Sequence, residues 1–463
     1  VVEGTLEKMA NGGLYDQLGG GFHRYSVDRS WTVPHFEKML YDNAQLAVVY
    51  LEAYQLTGRL DFARVGAETL EYVAREMTDA AGGFHSATDA DSATPDGGTE
   101  EGYFFTWTPA EIGTVLGSPR AEVASRYWGV SAAGHVDGRS VLHIGRQLDE
   151  TAHDLGIDQM FLQAELGRAR AELFAQRARR PPPLRDDKIL ASWNGLMITA
   201  FARGAFVLDR PDFGDLAAAA AHFVLDNMRA EDGTLRRSYR GGAGEHAFLD
   251  DYAFVIQGLL DLFAVSQDLV WLESAIALQS IQDHSYAHEG GGYFMTATGH
   301  DDALARARPI DDGVEPSGNS VAMLNLLRLA ELTSDDSYRS KAEAGFSAFG
   351  PAVARGSGRH AKLLTALDFL HGEPLEILIV EAASGSGSAE LLDKLRRSYL
   401  PNHVMVIAHD STIASVSQSI PMLEGKRALS GKTTAYVCTR GYCKLPTSDP
   451  GVFAGLLASP RKP

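Results

Sequence analysis

The sequence predicts a mainly α-helical chain whose helical hairpins close into an (α/α)6 toroid, with the place of its first inner helix unfilled. A small α/β unit follows, giving two expected domains, 1–372 and 373–463. Three observations predict this. Four long apolar helix openings share one internal ruler, glycine–aromatic loops precede them, and the pattern changes to alternating β-branched residues from Leu375.

The openings are YDNAQLAVVYLEAYQLTG from Tyr41, SWNGLMITAFARGAFVL from Ser192, DDYAFVIQGLLDLFAVS from Asp250 and SGNSVAMLNLLRLAELT from Ser317. With Asn43, Asn194, Tyr252 and Asn319 as reference positions, an aromatic stands 19 residues on in every copy: Phe62, Phe213, Trp271 and Tyr338. The first helix of each copy is apolar nearly all round and is expected inside; the second is more amphipathic and is expected outside. The gap of 151 residues between the first two copies leaves room for a degenerate unit around residues 109–178.

Loops beginning Gly20-Gly21-Phe22, Gly82-Gly83-Phe84 and Gly291-Gly292-Tyr293 each lead from an outer helix to the next inner one. They should therefore gather polar residues over the inner-helix N-termini, where free N–H groups and the helix dipole favour oxygen-rich ligands. In the tail, LEILIV and HVMVIA read as strands joined by a Gly/Ser turn (Ser384 to Ser388) and a helix. TTAYVC is a third strand, and Asp449 to Leu457 a short helix.

Composition excludes several classes. A net charge of −18 argues against a nucleic-acid partner. No apolar run approaches the ~20 residues of a membrane span. Cys438 and Cys443 are read as structural or incidental, without a disulfide framework, so a reducing, cytoplasmic setting is expected. The chain opens at Val1 inside a helical pattern (Val2, Leu6, Met9), as a fragment or processed chain would.

Residues 19–43 are the densest in chemistry. His23 and His35 are candidate acid–base groups, since removing a proton beside a carbonyl and returning it suits imidazole. Arg24, Tyr25 and Glu37 flank them as candidate substrate contacts. Asp89, with Asp91, Glu100 and Glu101 around it, offers the carboxylates a glycosidase needs. An EF-hand is disfavoured there, because Ala93 and Thr94 stand at ligand and glycine positions.

Asp187 with Trp193 and Asn194, Asp251 with Tyr252, and Asp312 with Ser317 and Asn319 repeat a carboxylate near an inner-helix start. Acids beside aromatics suit a sugar, whose C–H face stacks on the ring. The competing reading of each position is structural: Asp, Ser and Asn are favoured N-caps. The catalytic candidates are thus His23, His35, Asp89, Asp187 and Asp251, the others binding groups; no cofactor or metal is expected.

The stretches GGGFHRYSVDRSWTVPHFEKMLYDNAQL, GGFHSATDADS, EEGYFFTW, RPPPLRDDKILASWNGLMI, FLDDYAF and DGVEPSGNSV together resemble the spermatogenesis-associated, thioredoxin-domain-containing protein family. The resemblance runs the length of the chain. It implies a toroid similar to six-hairpin glycosidases and N-acylglucosamine 2-epimerases, preceded in the family by a thioredoxin-like domain that this sequence does not contain. The expected function is that of a carbohydrate-active domain, a sugar epimerase or isomerase or a glycoside hydrolase, acting on a small sugar-like ligand. The competing class is a non-catalytic scaffold that binds a glycan or protein segment or docks a thioredoxin-like domain.

Overall fold

The computed structural model describes residues 1–299, 306–383, 385 and 387–458. Its contacts gather into two units: Val1–Ala53, Leu60–Asp79 and Phe84–Lys188 in the first, and Tyr54–Arg59, Ala80–Gly83 and Ile189–Pro463 in the second.

The first unit carries α1 (Val2–Asn11), α2 (Leu40–Thr57) as far as Ala53, and α3 (Leu60–Glu76). The expected degenerate segment follows as α4 (Pro109–Leu116), α5 (Ser118–Tyr127), α6 (Leu148–Leu155) and α7 (Gln159–Arg177). Three of these four are short, and they enclose a core of Trp107, Ile112, Trp128, Leu162 and Leu173.

The second unit holds three regular hairpins: α8 (Ala191–Leu208) with α9 (Pro211–Asn227), α10 (Leu249–Ser266) with α11 (Leu269–Tyr286), and α12 (Gly318–Thr333) with α13 (Asp336–Arg355). After them come α14 (Ala361–His371), α15 (Ser388–Arg396), the single turn α16 (Ile413–Val416) and α17 (Pro450–Leu457). The mainly helical class is the one the sequence predicts.

The structure explains the 19-residue ruler. In all four hairpins two residues separate the helices, and the first takes a left-handed conformation: Gly58, Asp209, Gln267 and Ser334. A turn of fixed length and shape leaves no slack. The ruler aromatics Phe62, Phe213, Trp271 and Tyr338 therefore each fall on the third residue of an outer helix. There the ring of Phe62 meets Tyr50 at 5.9 Å, and Phe213 meets Phe201 at 5.6 Å. Inner helices are buried as their composition demands; in α10 every residue from Asp251 to Phe263 is enclosed.

The glycine–aromatic loops have a common build. An isolated β-bridge closes each of the three, Tyr15 with Phe22, Thr78 with Phe84 and Ala287 with Tyr293, and Arg229 with Leu235 closes the loop before α10 in the same way. Gly21 sits at φ 75°, and a Cβ there would overlap the Tyr72 ring, so both backbone shape and packing require glycine.

In the tail, strands Leu375–Glu381 and His403–His409 pair in parallel, with α15 as the crossover. Thr434–Thr439 and Tyr442–Cys443 extend the other edge antiparallel. Ile377, Ile379, Leu391, Val437 and Phe453 form the core of this layer, against Phe206 of α8 and Ala264 of α10. Ser384 and Ser386 of the expected turn lie outside the described residues.

One expectation is corrected: Cys438 and Cys443 form a disulfide. The turn Arg440-Gly441 folds the two strands back on each other and sets the cysteines directly opposite in register. Spacing alone did not reveal that hairpin. The cytoplasmic expectation loses the support it drew from unpaired cysteines.

Candidate active site

In the second unit, α8, α10 and α12 are tied together at their N-termini by side chains from their first turns. Asp251 is fully buried; Oδ1 accepts from the Ser192 amide at 3.1 Å and Oδ2 from the Phe248 amide at 2.8 Å. Burial pushes its carboxyl up, opposed by Arg237, whose guanidinium lies 3.7 Å away. Both oxygens thus serve helix starts, and Asp251 works as a cap.

Its neighbour Asp250 is different. Oδ1 is buried with no hydrogen bond, and burial, then the charges of Asp251 and Glu315, push the carboxyl up to about 7, against a lowering by the nearby Gly318 amide. Gly318 has to be glycine, since a Cβ there would overlap Asp250 Oδ1. Glu315 accepts from Trp193 Nε1 at 2.8 Å, and burial raises its carboxyl as well. Two carboxyls raised by burial, one of them bonded to an indole, are thus assembled on the lead-in to α12 and the first turns of α8 and α10.

The other predicted residues of this unit hold loops. Asn319 accepts from the Tyr293 amide at 2.8 Å and donates to the carbonyls of Tyr293 and Pro309, both at 2.9 Å. Tyr252, at the same repeat position, accepts from the Leu235 amide at 2.8 Å. Asn194 is buried and donates to Leu190 O. Ser317 caps α12 through the Ser320 amide, while Asp312 accepts from the amides of Ser317 and Lys362, joining α12 to α14.

The first unit brings together five predicted residues in one surface cluster. Tyr25 and His35 are paired across a two-stranded ribbon with their rings stacked at 5.1 Å. His35 Nδ1 lies 2.7 Å from Glu101 Oε1, and Nε2 lies 3.1 Å from Glu37 Oε2, which also accepts from Arg24 at 2.9 Å. A proton on either ring nitrogen therefore has an acceptor.

Asp91 stands across from Glu101 in a second ribbon, Asp91–Ala93 against Thr99–Glu101, and Asp89 Oδ1 accepts from the Asp91 amide. Asp187 is exposed and paired with Arg185 at 2.6 Å.

His23 is not at this surface. It is 2 % exposed, with Nδ1 2.9 Å from Phe36 O; burial, then the charge of Lys38, lowers it to about 3. Behind it, Lys38 and Arg177 close on Asp16, a fully buried cluster of two cations and one carboxylate. In the same unit Asn43 clamps Phe22 as Asn319 clamps Tyr293, at 2.7 and 3.1 Å.

Sequence reading named Asp250 as a neighbour of Asp251 and left Glu315 inside a motif. An acid just ahead of a Pro-Ser-Gly helix start was the available signal for Glu315. Arg237 lies in a loop without pattern and gave none. Among the described residues, no group of three or more His, Cys, Asp or Glu could hold a metal ion, and no helix is long and apolar enough to cross a membrane.

Fold and site together define a hairpin-repeat helical protein with a buried carboxyl–indole group at the starts of its inner helices. No family model matches the chain. The chain is a homologue of spermatogenesis-associated protein 20. It is 36% identical to the Homo sapiens protein over an alignment 485 positions long that covers 98% of this chain and 62% of that protein. With the Mus musculus protein the identity is 35% over 486, covering 98% and 61%. The chain thus spans about three-fifths of these curated relatives.

Among solved structures, D-mannose isomerase aligns at TM-score 0.36 and 12% identity, covering 76% of this chain and 86% of that one. Cellobiose 2-epimerase from Spirochaeta thermophila aligns at TM-score 0.39 and 11% identity, covering 73% and 80%.

Proposed function

We propose that this chain is a carbohydrate-active domain of glycoside-hydrolase type, acting through the carboxyls at the start of α10 and α12. The observation that carries the reading is Asp250: a buried oxygen without a hydrogen bond on a carboxyl raised to about 7, in the field of a second acid, Glu315, that accepts from the Trp193 indole. A carboxyl that keeps its proton near neutrality can give it to a leaving glycosidic oxygen. Glu315, once ionised, takes a proton from the attacking water, and Trp193 offers a face to the apolar side of a sugar ring. Asp251 and Arg237 hold the backbone and field around them.

The test is a panel of di- and oligosaccharides assayed for new reducing ends with the parent chain and Asp250→Asn. Product from the parent and none from the variant supports the reading. Saturable sugar binding without turnover in either returns the scaffold class.

A second reading rests on His35, held between Glu37 and Glu101. An imidazole with a carboxylate at each nitrogen can shuttle a proton, as an isomerase or epimerase requires. Incubation of monosaccharides in D2O distinguishes it, because deuterium would then enter at the carbon next to the carbonyl and be lost in His35→Asn.

A further inference from the structure

At the opposite end of α12 from Asp250 and Glu315, about 24 Å along the helix, the second unit contains a cavity of about 570 Å³. That volume lies within the range of small-molecule sites. The last turns of α12 and α14 form part of its wall, so two helices present the negative ends of their dipoles and their unsatisfied carbonyls to it.

Four carboxylates line it, Glu331, Asp336, Glu343 and Glu376, against the guanidiniums of Arg339 and Arg440 and the imidazole of His371. Arg339 is already paired with Glu331, and Arg440 stands exposed. The N-terminus of α13, a positive helix end nearby, is capped by Asp335.

Two of the acids are buried deeply, Glu331 at 7 % and Glu376 at 5 % exposure. Glu376 accepts from the Gly441 amide at 3.0 Å; burial raises its carboxyl, opposed by that amide and reinforced by the charge of Glu331. Gly441 belongs to the hairpin closed by the Cys438–Cys443 disulfide, and Glu376 is the register partner of Cys438, so this wall is fixed in advance. The acidic lining and the two helix C-termini favour a positively charged occupant.

We propose that this cavity binds a small organic cation, an amine or guanidinium compound, with its charged head on the Glu331–Glu376 pair. Calorimetric titration of the full chain with agmatine and putrescine tests this, with 1,4-butanediol as the uncharged control.

The expected result is saturable binding of a cation, no binding of the diol, and a loss of about tenfold or more in Glu376→Gln. Glu343→Gln, at the more exposed rim, should lose about twofold to threefold. Circular dichroism checks that each variant folds; if Glu376→Gln does not, Glu343→Gln and Asp336→Asn carry the test. The proposal is overturned by binding of neither cation, by equal binding of the diol, or by unchanged affinity in the folded variants.

Discussion

Trp193 Nε1 donates to Glu315 Oε1 at 2.8 Å, tying the third residue of α8 to the segment that enters α12. That bond lowers a carboxyl that burial raises, so the indole tunes the acid it touches. Trp193→Phe keeps an aromatic face but removes the donor. Glu315 should then titrate higher, and if it is the base, the acid limb of kcat/KM should move to higher pH by about one unit. An unmoved limb with intact folding would separate Glu315 from the reaction.

Asp250 also predicts a dependence of stability on pH. Its folded value, about 7, is above the ordinary carboxylate value. Below that ordinary value both folded and unfolded states carry the proton. Between it and about 7 only the folded state does, so this group's contribution to stability falls as pH rises. The loss is on the order of 2–4 kcal/mol over that window. Asp250→Asn should flatten the slope and be the more stable protein at pH 8, measured by urea denaturation at several pH values.

The Asp16–Lys38–Arg177 cluster is unequal, with two cations on one acid and every member buried. Asp16→Asn leaves both cations without their counter-charge and should cost about 3–5 kcal/mol. Lys38→Met leaves the bidentate Asp16–Arg177 pair intact and should cost less. In that variant His23 should also titrate above its parent value of about 3, because a nearby positive charge is gone. Denaturation curves and imidazole NMR titrations give the two readouts; equal costs for the two variants would contradict the asymmetry.

Asn319 satisfies three backbone groups of the loop before α12. Asn319→Ala should cost roughly 2–4 kcal/mol, and the Tyr293 amide should exchange with solvent faster than amides of α10. Asn43→Ala, which removes the matching clamp on Phe22, should behave alike at its own loop. Retained protection at Tyr293 would show that the β-bridge with Ala287 suffices without the clamp.

The repeat was legible because it is written in local rules. A left-handed two-residue turn, a buried aromatic on the third residue of the outer helix, and glycines that no side chain could replace each leave their residue type at a fixed distance. The apolar run of α10 and the alternating strand from Leu375 were equally open to reading, since burial on all sides or on two faces dictates composition.

Site roles were less legible, because one residue type answers several needs. Asn194 and Asn319 stood at helix starts as candidate binding groups, and only their bonds show that they hold backbone. His23 and His35 lie twelve residues apart in one loop, yet one is sealed against Phe36 and Phe105 and the other stands between two carboxylates.

By itself the sequence determined the helical hairpins, their ruler and the α/β tail, since turn geometry, burial and periodicity act over short spans of chain. Only the tertiary structure decided which of two adjacent acids, Asp250 or Asp251, keeps a free oxygen, and that Glu315, 65 residues further along, shares its field. It also decided that Cys438 and Cys443 meet. The physical reason is the same in each case: protonation, pairing and access depend on what long-range packing places within a few ångströms, and neighbours in space leave no mark at a fixed sequence distance.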